Sequence, residues 1–210
     1  MGINQVAAKD RGVLLDRDGT LIDVYRDEEL GILTTAFHPS QVRLLPGVTE
    51  GLALLRDAGY SFGIATNQPG PAKGQYTPEA IRRTNEALLE LLAKDGLVIE
   101  HIAVCMHHPV GGPGGDASLV FDCPCRKPKP GLLIEGIAAL GLDPGKSWML
   151  GDTTSDVEAG KAAGLRTGML FDTKRCELCP LRTGVGTGRA VPDASGATFL
   201  ELARNVLAAG

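Results

Sequence analysis

The sequence lacks long apolar runs and lacks any excess of basic residues. Nowhere do about eighteen apolar residues follow one another, as a membrane-spanning helix would require, and residues 1–12 lack the apolar segment of a secretory signal. The formal net charge of -4 gives no polybasic surface that would attract nucleic acid or an anionic membrane. These absences predict a soluble, cytoplasmic protein with neither a nucleic-acid nor a membrane partner.

The sequence also lacks internal repeats and low-complexity tracts, so we interpret it as a series of alternating strands and helices. Its 210 residues, 43% of them hydrophobic, suffice for a single domain, 1–210, with a well-buried core. The alternation predicts a three-layer, Rossmann-like α/β fold with an open parallel sheet. The predicted strands lie at 12–15, 60–67, 99–105, 147–152 and 167–172, and the predicted helices at 46–59, 77–96, 129–142 and 154–165.

Polar residues stand at the carboxyl ends of three of the predicted strands. Ligands of open parallel sheets bind beside these ends, so the residues predict one site. Carboxylates as close in the chain as those of Asp16 and Asp18 repel each other, and burying them is costly unless a cation compensates. The pair therefore predicts a metal. The strand-end residues are Asp16, Asp18, Thr66, Asn67, Asp152 and Asp156.

These residue types suit the transfer of a phosphoryl group, which needs a nucleophile, a divalent cation and fixed donors for its oxygens. Asp16 can attack phosphorus to form an aspartyl-phosphate. Asp18 can then protonate the leaving oxygen and later activate water. Mg²⁺ fits the oxygen ligands offered by Asp16, Asp152 and the backbone carbonyl of Asp18. The sequence predicts a magnesium-dependent phosphatase whose partner is a small phosphorylated metabolite.

Four segments, LLDRDGTLI, IATNQ, CRKPKPG and MLGDTTSDVEAG, resemble in order the four motifs of the haloacid dehalogenase superfamily of aspartate-nucleophile phosphatases. The resemblance implies Thr66 and Asn67 as phosphate donors and Lys127 as the cation on the phosphoryl oxygens. It also implies that Asp152 is a magnesium ligand and that Asp156 orders the site. Only loops separate the motifs, and an acidic loop is expected before the first helix, so a fold without a mobile cap domain is implied.

A cluster of cysteine and histidine residues immediately precedes the third motif. Its spacing fits a structural, tetrahedral Zn²⁺ site, and in a reducing cytosol such a cluster favours a metal over disulfides. The metal would close a flexible loop, 105–125, beside the cations Arg126 and Lys127. Free cysteines around a turn, or His108 as the fourth ligand, are the alternatives. The predicted zinc ligands are Cys105, His107, Cys123 and Cys125.

The zinc loop and the segment TNQPGPAKGQYT resemble the D-glycero-D-manno-heptose 1,7-bisphosphate phosphatases and, next, the histidinol-phosphate phosphatases. The first resemblance implies hydrolysis of the C7 phosphate by a monomer, with the zinc loop as a partial lid. Histidinol phosphate or another small phosphate ester is the alternative substrate. Pro69 and the segment LIDVYRDEEL depart from the heptose pattern. The implied substrate-binding residues are Gln68, Lys73, Arg126 and Lys127.

Two other function classes are weaker interpretations of the same residues. A nucleic-acid 3'-phosphatase would need a basic groove, which the acidic balance does not predict. A non-catalytic zinc scaffold would not need the catalytic aspartates and Lys127 together. A second Gly-rich loop, at 172–192, contains Cys176 and Cys179. Plain loop thiols are expected there, because two ligands are too few for a metal site, and a redox pair or half of a second metal site are the alternatives.

Overall fold

The computed structural model describes residues 10–27, 29, 31–171 and 190–210. Cys176, Cys179 and most of the predicted loop at 172–192 lie outside the described residues. The strands are β1 Gly12–Leu15, β2 Tyr25–Asp27, β3 Ile32–Thr34, β4 Ser61–Asn67, β5 His101–Cys105, β6 Trp148–Gly151, β7 Arg166–Leu170 and β8 Ala194–Gly196. The helices are α1 Val48–Asp57, α2 Gly70–Lys73, α3 Pro78–Ala93, α4 Gly131–Leu140, α5 Thr154–Ala162 and α6 Phe199–Ala209. Short 3-10 helices lie at Pro39–Gln41, Ala117–Leu119 and Pro144–Lys146.

Six strands form one parallel sheet in the order β5-β4-β1-β6-β7-β8. The chain starts in the centre with β1, adds β4 and β5 on one side, and then crosses over to add β6, β7 and β8 on the other. Leu15 of β1 is paired with Ile64 of β4 and with Leu150 of β6. The strand order therefore reverses beside the carboxyl end of β1, where ligands of such sheets bind. The predicted open parallel sheet is confirmed.

Apolar layers cover both faces of this sheet. Because successive side chains of a strand point to opposite faces, Val13 and Leu15 of β1 pack with α1, α3 and α6, whereas Leu14 packs with α4 and α5. Burying one such side chain contributes about 1.5–3 kcal/mol to folding. The predicted three-layer arrangement is confirmed.

Local signals set the start of α3. The Thr77 hydroxyl accepts a hydrogen bond from the backbone N–H of Ala80 at 3.1 Å, which satisfies one of the free donors of the first turn. Pro78 follows at the first helical position, where its missing N–H costs nothing. The helix predicted over 77–96 is confirmed, with its last turn ending at Ala93 and Gly96 in the turn that follows.

Several parts of the fold were not predicted, among them the short helix α2, Gly70–Lys73. Strands β2 and β3 pair antiparallel between β1 and α1, where only an acidic loop was expected before the helix. Three residues per strand are too few to show an alternating pattern. Strand β8 and helix α6 complete one edge of the sheet. Among the described residues, no helix has the length and the apolar content needed to cross a membrane.

Candidate active site

The ends of β1 and β6 bring carboxylates together. Asp16 follows β1 and Asp152 follows β6, and these two strands are neighbours in the sheet. Their carboxylate oxygens and one from Asp156 lie within 4.8 Å of one another. The turn after Asp16 requires Gly19, which has a φ of +83° and whose absent Cβ would lie 2.4 Å from Oδ2 of Asp152. The glycine of the first motif thus allows Asp152 to approach the end of β1.

Lys127 lies among these carboxylates and is 4% exposed. Its Nζ donates to Oδ1 of Asp16 and to the carbonyl of Ala65, both at 2.7 Å, and forms an ion pair with Oδ1 of Asp156 at 2.6 Å. Burial by itself lowers the pKa of Lys127, but Asp156 and Asp16 raise it well above its ordinary range. Burial, together with the charges of Asp156 and Asp18, raises the pKa of Asp16 to about 7 in spite of Lys127. The ammonium is therefore a fixed positive charge against the predicted nucleophile.

Asp156 supports this lysine from the first turn of α5. One of its oxygens accepts hydrogen bonds from the Thr153 backbone N–H at 3.0 Å and from the Thr153 hydroxyl at 2.6 Å. The other oxygen pairs with Lys127. The capping arrangement fixes the carboxylate at the helix N-terminus, where negative charge is favoured. Asp156 thus lies where it can order the site.

The end of β4 supplies a hydroxyl and an amide. Oγ1 of Thr66 accepts a hydrogen bond from Nε2 of Gln68 at 2.9 Å, so the hydroxyl hydrogen of Thr66 can point to a different acceptor. Asn67 is tied to Lys127: its Oδ1 accepts the Lys127 backbone N–H at 3.1 Å, and its Nδ2 donates to the Lys127 carbonyl at 3.0 Å. One amide hydrogen of Asn67 remains for a ligand, and the residue also holds the backbone of Lys127 in place.

The Asp18 carboxylate is held by Arg17 and Gln68. Oδ2 of Asp18 accepts from Nε of Arg17 at 3.0 Å and from Nε2 of Gln68 at 2.6 Å. Both donors are fully buried. The substrate contact expected for Gln68 does not match this position, because both hydrogens of its amide are donated to Asp18 and Thr66. Gln68 holds Asp18, and Arg17 is a site residue that sequence analysis missed.

Carboxylate groups are concentrated at these strand ends. Buried negative charge is costly unless a cation compensates, and carboxylate oxygens are the ligands that Mg²⁺ prefers. The donor set therefore fits a divalent cation beside Asp16 and Asp152. Among the described residues, the charged groups here include the carboxylates of Asp16, Asp18, Asp152 and Asp156 and the buried cations Arg17 and Lys127.

Two more cations lie toward the 105–125 loop. An amino nitrogen, NH1, of Arg126 is buried and has no hydrogen-bond partner in the described part of the chain, and burial lowers the pKa of Arg126. Lys73 ends α2. A Cβ on Gly112 would lie 2.4 Å from the Lys73 carbonyl oxygen, and the Arg126 backbone N–H donates to Sγ of Cys123 at 3.3 Å, so both residues adjoin this loop. Burial lowers the pKa of His108, and the charges of Lys73 and Arg126 lower it further. The predicted cations thus share one side of the site.

The predicted zinc ligands converge on one point. The Sγ–Sγ distances are 3.5 Å between Cys105 and Cys123, 3.2 Å between Cys105 and Cys125 and 3.2 Å between Cys123 and Cys125. Nδ1 of His107 lies 3.2 Å from Sγ of Cys125. A tetrahedral zinc with Zn–S bonds of about 2.3 Å has edges of roughly 3.8 Å, so these four atoms need only a small expansion to receive the metal.

The two neighbouring histidines have different surroundings. Nδ1 of His107 belongs to the cysteine cluster, and its ring packs against Phe121 with a centroid distance of 4.5 Å. Nδ1 of His108 accepts the backbone N–H of Val110 at 3.0 Å and is not part of the cluster. The structure therefore brings His107 to the cysteines and leaves His108 outside.

The glycine-rich part of the 105–125 loop is docked on α2. The backbone N–H of Gly112 donates to the Ala72 carbonyl at 3.3 Å, and that of Asp116 donates to the Pro71 carbonyl at 2.9 Å. A Cβ on Gly115 would lie 2.1 Å from the Ala72 carbonyl oxygen. The absence of side chains at these glycines allows two backbones to touch, and this contact holds the loop against α2.

Comparison with known proteins identifies the family. The chain is 35% identical over 164 residues, 78% of its length, to a D-glycero-beta-D-manno-heptose-1,7-bisphosphate 7-phosphatase of Pasteurella multocida, of which the match covers 82%. It is 32% identical over 182 residues, 86% of its length, to the protein of the same name from Haemophilus influenzae, of which 89% is covered. The family described as "HAD-hyrolase-like" matches residues 124–176. The chain belongs to the haloacid dehalogenase superfamily of phosphatases.

Solved structures of the superfamily share this fold. The D,D-heptose 1.7-bisphosphate phosphatase of B. bronchiseptica, complexed with magnesium and phosphate, has a TM-score of 0.71 at 24% identity, covering 95% of this chain and 99% of that one. A putative HAD-like phosphatase of Mesorhizobium loti has a TM-score of 0.71 at 26% identity, covering 95% of this chain and 87% of that one. The superfamily fold predicted from the four motifs is confirmed.

Proposed function

We propose that the chain is a cytoplasmic, magnesium-dependent phosphomonoesterase that removes the C7 phosphate of D-glycero-β-D-manno-heptose 1,7-bisphosphate. The observation that carries the chemistry is the position of Asp16, at the end of β1, paired with the buried ammonium of Lys127 and next to Asp152. The names of the relatives support the substrate. The three thiols of the cysteine cluster, free in this structure, suit a reducing compartment.

Each group has a defined task in this proposal. The carboxylate of Asp16 attacks phosphorus, and the bond to the ester oxygen breaks as Asp18 gives that oxygen a proton. Asp18 then takes a proton from water, which attacks the phosphoaspartate and releases phosphate and the free carboxylate. Lys127 and the hydroxyl of Thr66 hold the phosphoryl oxygens through both steps. Mg²⁺ held by Asp16 and Asp152 would supply positive charge against the phosphoryl oxygens.

The distribution of cations supports a substrate with two phosphates. Lys127 serves the phosphate at Asp16, whereas Arg126 and Lys73 lie toward the loop side and have no part in that contact. The NH1 nitrogen of Arg126, buried and without a hydrogen-bond partner among the described residues, is costly unless an anion binds it. A primary ester at C7 reaches the strand ends with less crowding from the sugar ring than an ester at C1. The C1 phosphate would then bind Arg126 and Lys73.

The first prediction concerns which phosphate is released. Phosphorus NMR of a reaction with the β anomer of the bisphosphate is expected to show loss of the C7 signal and persistence of the C1 signal. The α anomer, histidinol phosphate and nucleotide phosphates serve as matched alternative substrates. Release of the C1 phosphate, or a much higher kcat/KM for histidinol phosphate, would overturn the substrate assignment and leave the phosphatase chemistry standing.

We further propose that the cysteine cluster binds a structural zinc. Its four ligand atoms leave no open coordination position for a substrate, as is typical of structural sites. Cys125 is the residue immediately before Arg126, and the Arg126 backbone N–H donates to Sγ of Cys123 at 3.3 Å. Zinc would therefore hold the segment that carries Arg126 and Lys127 without contacting the substrate.

The second prediction compares the adjacent histidines. His107→Ala is expected to lose zinc on dialysis against a mild chelator and to raise KM, because the Arg126 segment loosens. His108→Ala is the matched control and is expected to retain one zinc per chain, since His108 lies outside the cluster. Elemental analysis after gel filtration measures the metal. Equal zinc retention in both variants, or no zinc in the freshly purified wild-type protein, would contradict the proposal.

A further inference from the structure

The carboxylate of Asp18 is held from two sides by buried side chains. Oδ2 accepts from Arg17 and Gln68, and Oδ1 lies 3.3 Å from both NH2 of Arg17 and the backbone N of Ala36. We propose that Tyr76 and Asn85 are positioning residues for Asp18: Tyr76 orients the Gln68 amide and Asn85 orients the Arg17 guanidinium. The inference rests on the proposed function, in which Asp18 transfers protons to and from the reacting groups.

The first arm of this arrangement runs from Tyr76 to Asp18 through Gln68. The Tyr76 hydroxyl donates to Oε1 of Gln68 at 3.2 Å, and Nε2 of the same amide donates to Asp18 at 2.6 Å. Rotating the amide by half a turn would place its oxygen against the carboxylate, where two acceptors repel each other. Burial, together with the charge of Asp18, raises the pKa of Tyr76 to about 12, so its hydroxyl stays protonated at neutral pH. A donor at Oε1 therefore selects the amide orientation that serves Asp18.

The ring of Tyr76 is itself fixed. It stacks on Phe37 with a centroid distance of 5.6 Å and an interplanar angle of 5°. On the Gly70 side it lies so close that a Cβ on this glycine would be 2.1 Å from Cζ of the ring. Stacked aromatic rings prefer a limited set of geometries, and the missing side chain at position 70 leaves a flat surface for the second contact. The hydroxyl of Tyr76 is therefore held at one place.

The second arm runs from α3 to Asp18 through Arg17. NH1 of Arg17 donates to Oδ1 of Asn85 at 2.7 Å, and NH2 donates to the Thr35 hydroxyl at 2.8 Å. Asn85 is 8% exposed and lies on α3. Thr35 also lies 3.4 Å from Oε1 of Gln68, so it contacts both arms. A guanidinium has donors in a fixed planar fork, so anchoring one edge at Asn85 orients the edge that binds Asp18.

The placement of a proton-transfer group affects the rate far more than substrate affinity. A displacement of about 1 Å can cost two orders of magnitude in rate, whereas KM reports mainly the contacts with the phosphates and the sugar. Tyr76 and Asn85 act only through the orientation of Asp18, so their loss should lower kcat and leave KM unchanged. Their effects should also disappear once Asp18 can no longer transfer a proton.

The test of the first arm is Tyr76→Phe, which removes one hydroxyl and keeps the stacked ring. Its kcat on the best substrate is expected to fall about three- to tenfold, the value of one neutral hydrogen bond, at unchanged KM and magnesium dependence. In the background of Asp18→Asn, the same substitution is expected to have no further effect. Tyr60→Phe, the same change just before β4 at its opposite end, is the matched control and should retain wild-type kcat.

The test of the second arm compares two nearly isosteric substitutions at Asn85. Asn85→Leu removes the acceptor and is expected to lower kcat about tenfold. Asn85→Asp keeps an oxygen facing Arg17 and is expected to restore most of the rate. Thermal unfolding midpoints are measured for both, and the comparison is made on kcat at temperatures well below them.

The outcomes separate this inference from the proposed function. If the kcat of Asp18→Asn is low while Tyr76→Phe and Asn85→Leu keep the wild-type kcat, the positioning roles are overturned and the proposed function stands. An equal loss from Tyr76→Phe in the wild-type and Asp18→Asn backgrounds would also overturn them, because the hydroxyl would then act elsewhere. Near-normal activity of Asp18→Asn would overturn the proposed mechanism itself.

Discussion

Asp16→Asn is expected to abolish turnover and to leave the fold intact. The amide has nearly the volume of the carboxylate but cannot attack phosphorus, so kcat should fall by about four orders of magnitude or more. Oδ1 of the asparagine can still accept from Lys127, which also keeps its ion pair with Asp156. Phosphate release under saturating substrate, together with acid-quench detection of a phosphorylated protein, measures the change.

The control for this prediction is Asp57→Asn, the same chemical change on an exposed carboxylate that pairs with Arg56 on α1. It should retain wild-type activity, since surface ion pairs contribute little. The wild-type enzyme should show an acid-stable phosphoryl group during turnover, and Asp16→Asn should show none. Near-normal turnover in Asp16→Asn would contradict the covalent mechanism, and so would a phosphoryl group that persists in it.

Lys127→Met is expected to damage both stability and catalysis. The methionine keeps most of the length of the side chain but removes the ammonium between Asp16 and Asp156, and so leaves two buried carboxylates without this cation. Removing one member of a buried ion pair costs about 3–5 kcal/mol in the free energy of unfolding. Loss of a fixed charge against the phosphoryl oxygens should also lower kcat by about two to three orders of magnitude. Urea unfolding in the absence of magnesium and steady-state kinetics in its presence measure the two effects.

Lys129→Met is the matched control, with the same substitution two residues along the chain. Lys129 pairs with Asp122, whose side chain is 75% exposed, so the expected loss is no more than about 1 kcal/mol and kcat should be unchanged. Similar unfolding free energies for the two variants would show that the buried network around Lys127 does not stabilise the fold.

The parts of the site that sequence could predict are those that follow from a regular fold. Asp16 and Asp152 directly follow β1 and β6, and Thr66 lies near the end of β4. Parallel strands bring their carboxyl ends to one edge of the sheet. The convergence of the three cysteines and His107 could be predicted because their residue types and pairwise spacing match the coordination chemistry of one metal. In both cases a local pattern was sufficient, and no knowledge of tertiary packing was needed.

The parts that sequence could not predict depend on contacts between distant segments. Asn85 lies 68 positions from Arg17 in the chain, and an asparagine on a helix carries no signal of its partner. Gln68 stands beside two strand-end residues, and only its hydrogen bond in the folded chain shows that it faces Asp18. The β2–β3 hairpin has strands too short for a recognisable alternation, although it leads directly to Thr35 and Phe37.

The seam between α2 and the zinc loop has a consequence for engineering. Glycines on both sides face carbonyl groups of the opposite segment: a Cβ on Gly74 would lie 2.2 Å from the Pro113 oxygen, and one on Gly112 would lie 2.4 Å from the Lys73 oxygen. A side chain added at these glycines in one segment would therefore clash with the backbone of the other. A chimera that takes its substrate preference from this chain must therefore receive residues 69–76 and 105–125 as a single graft, since either piece alone would collide with its new neighbour.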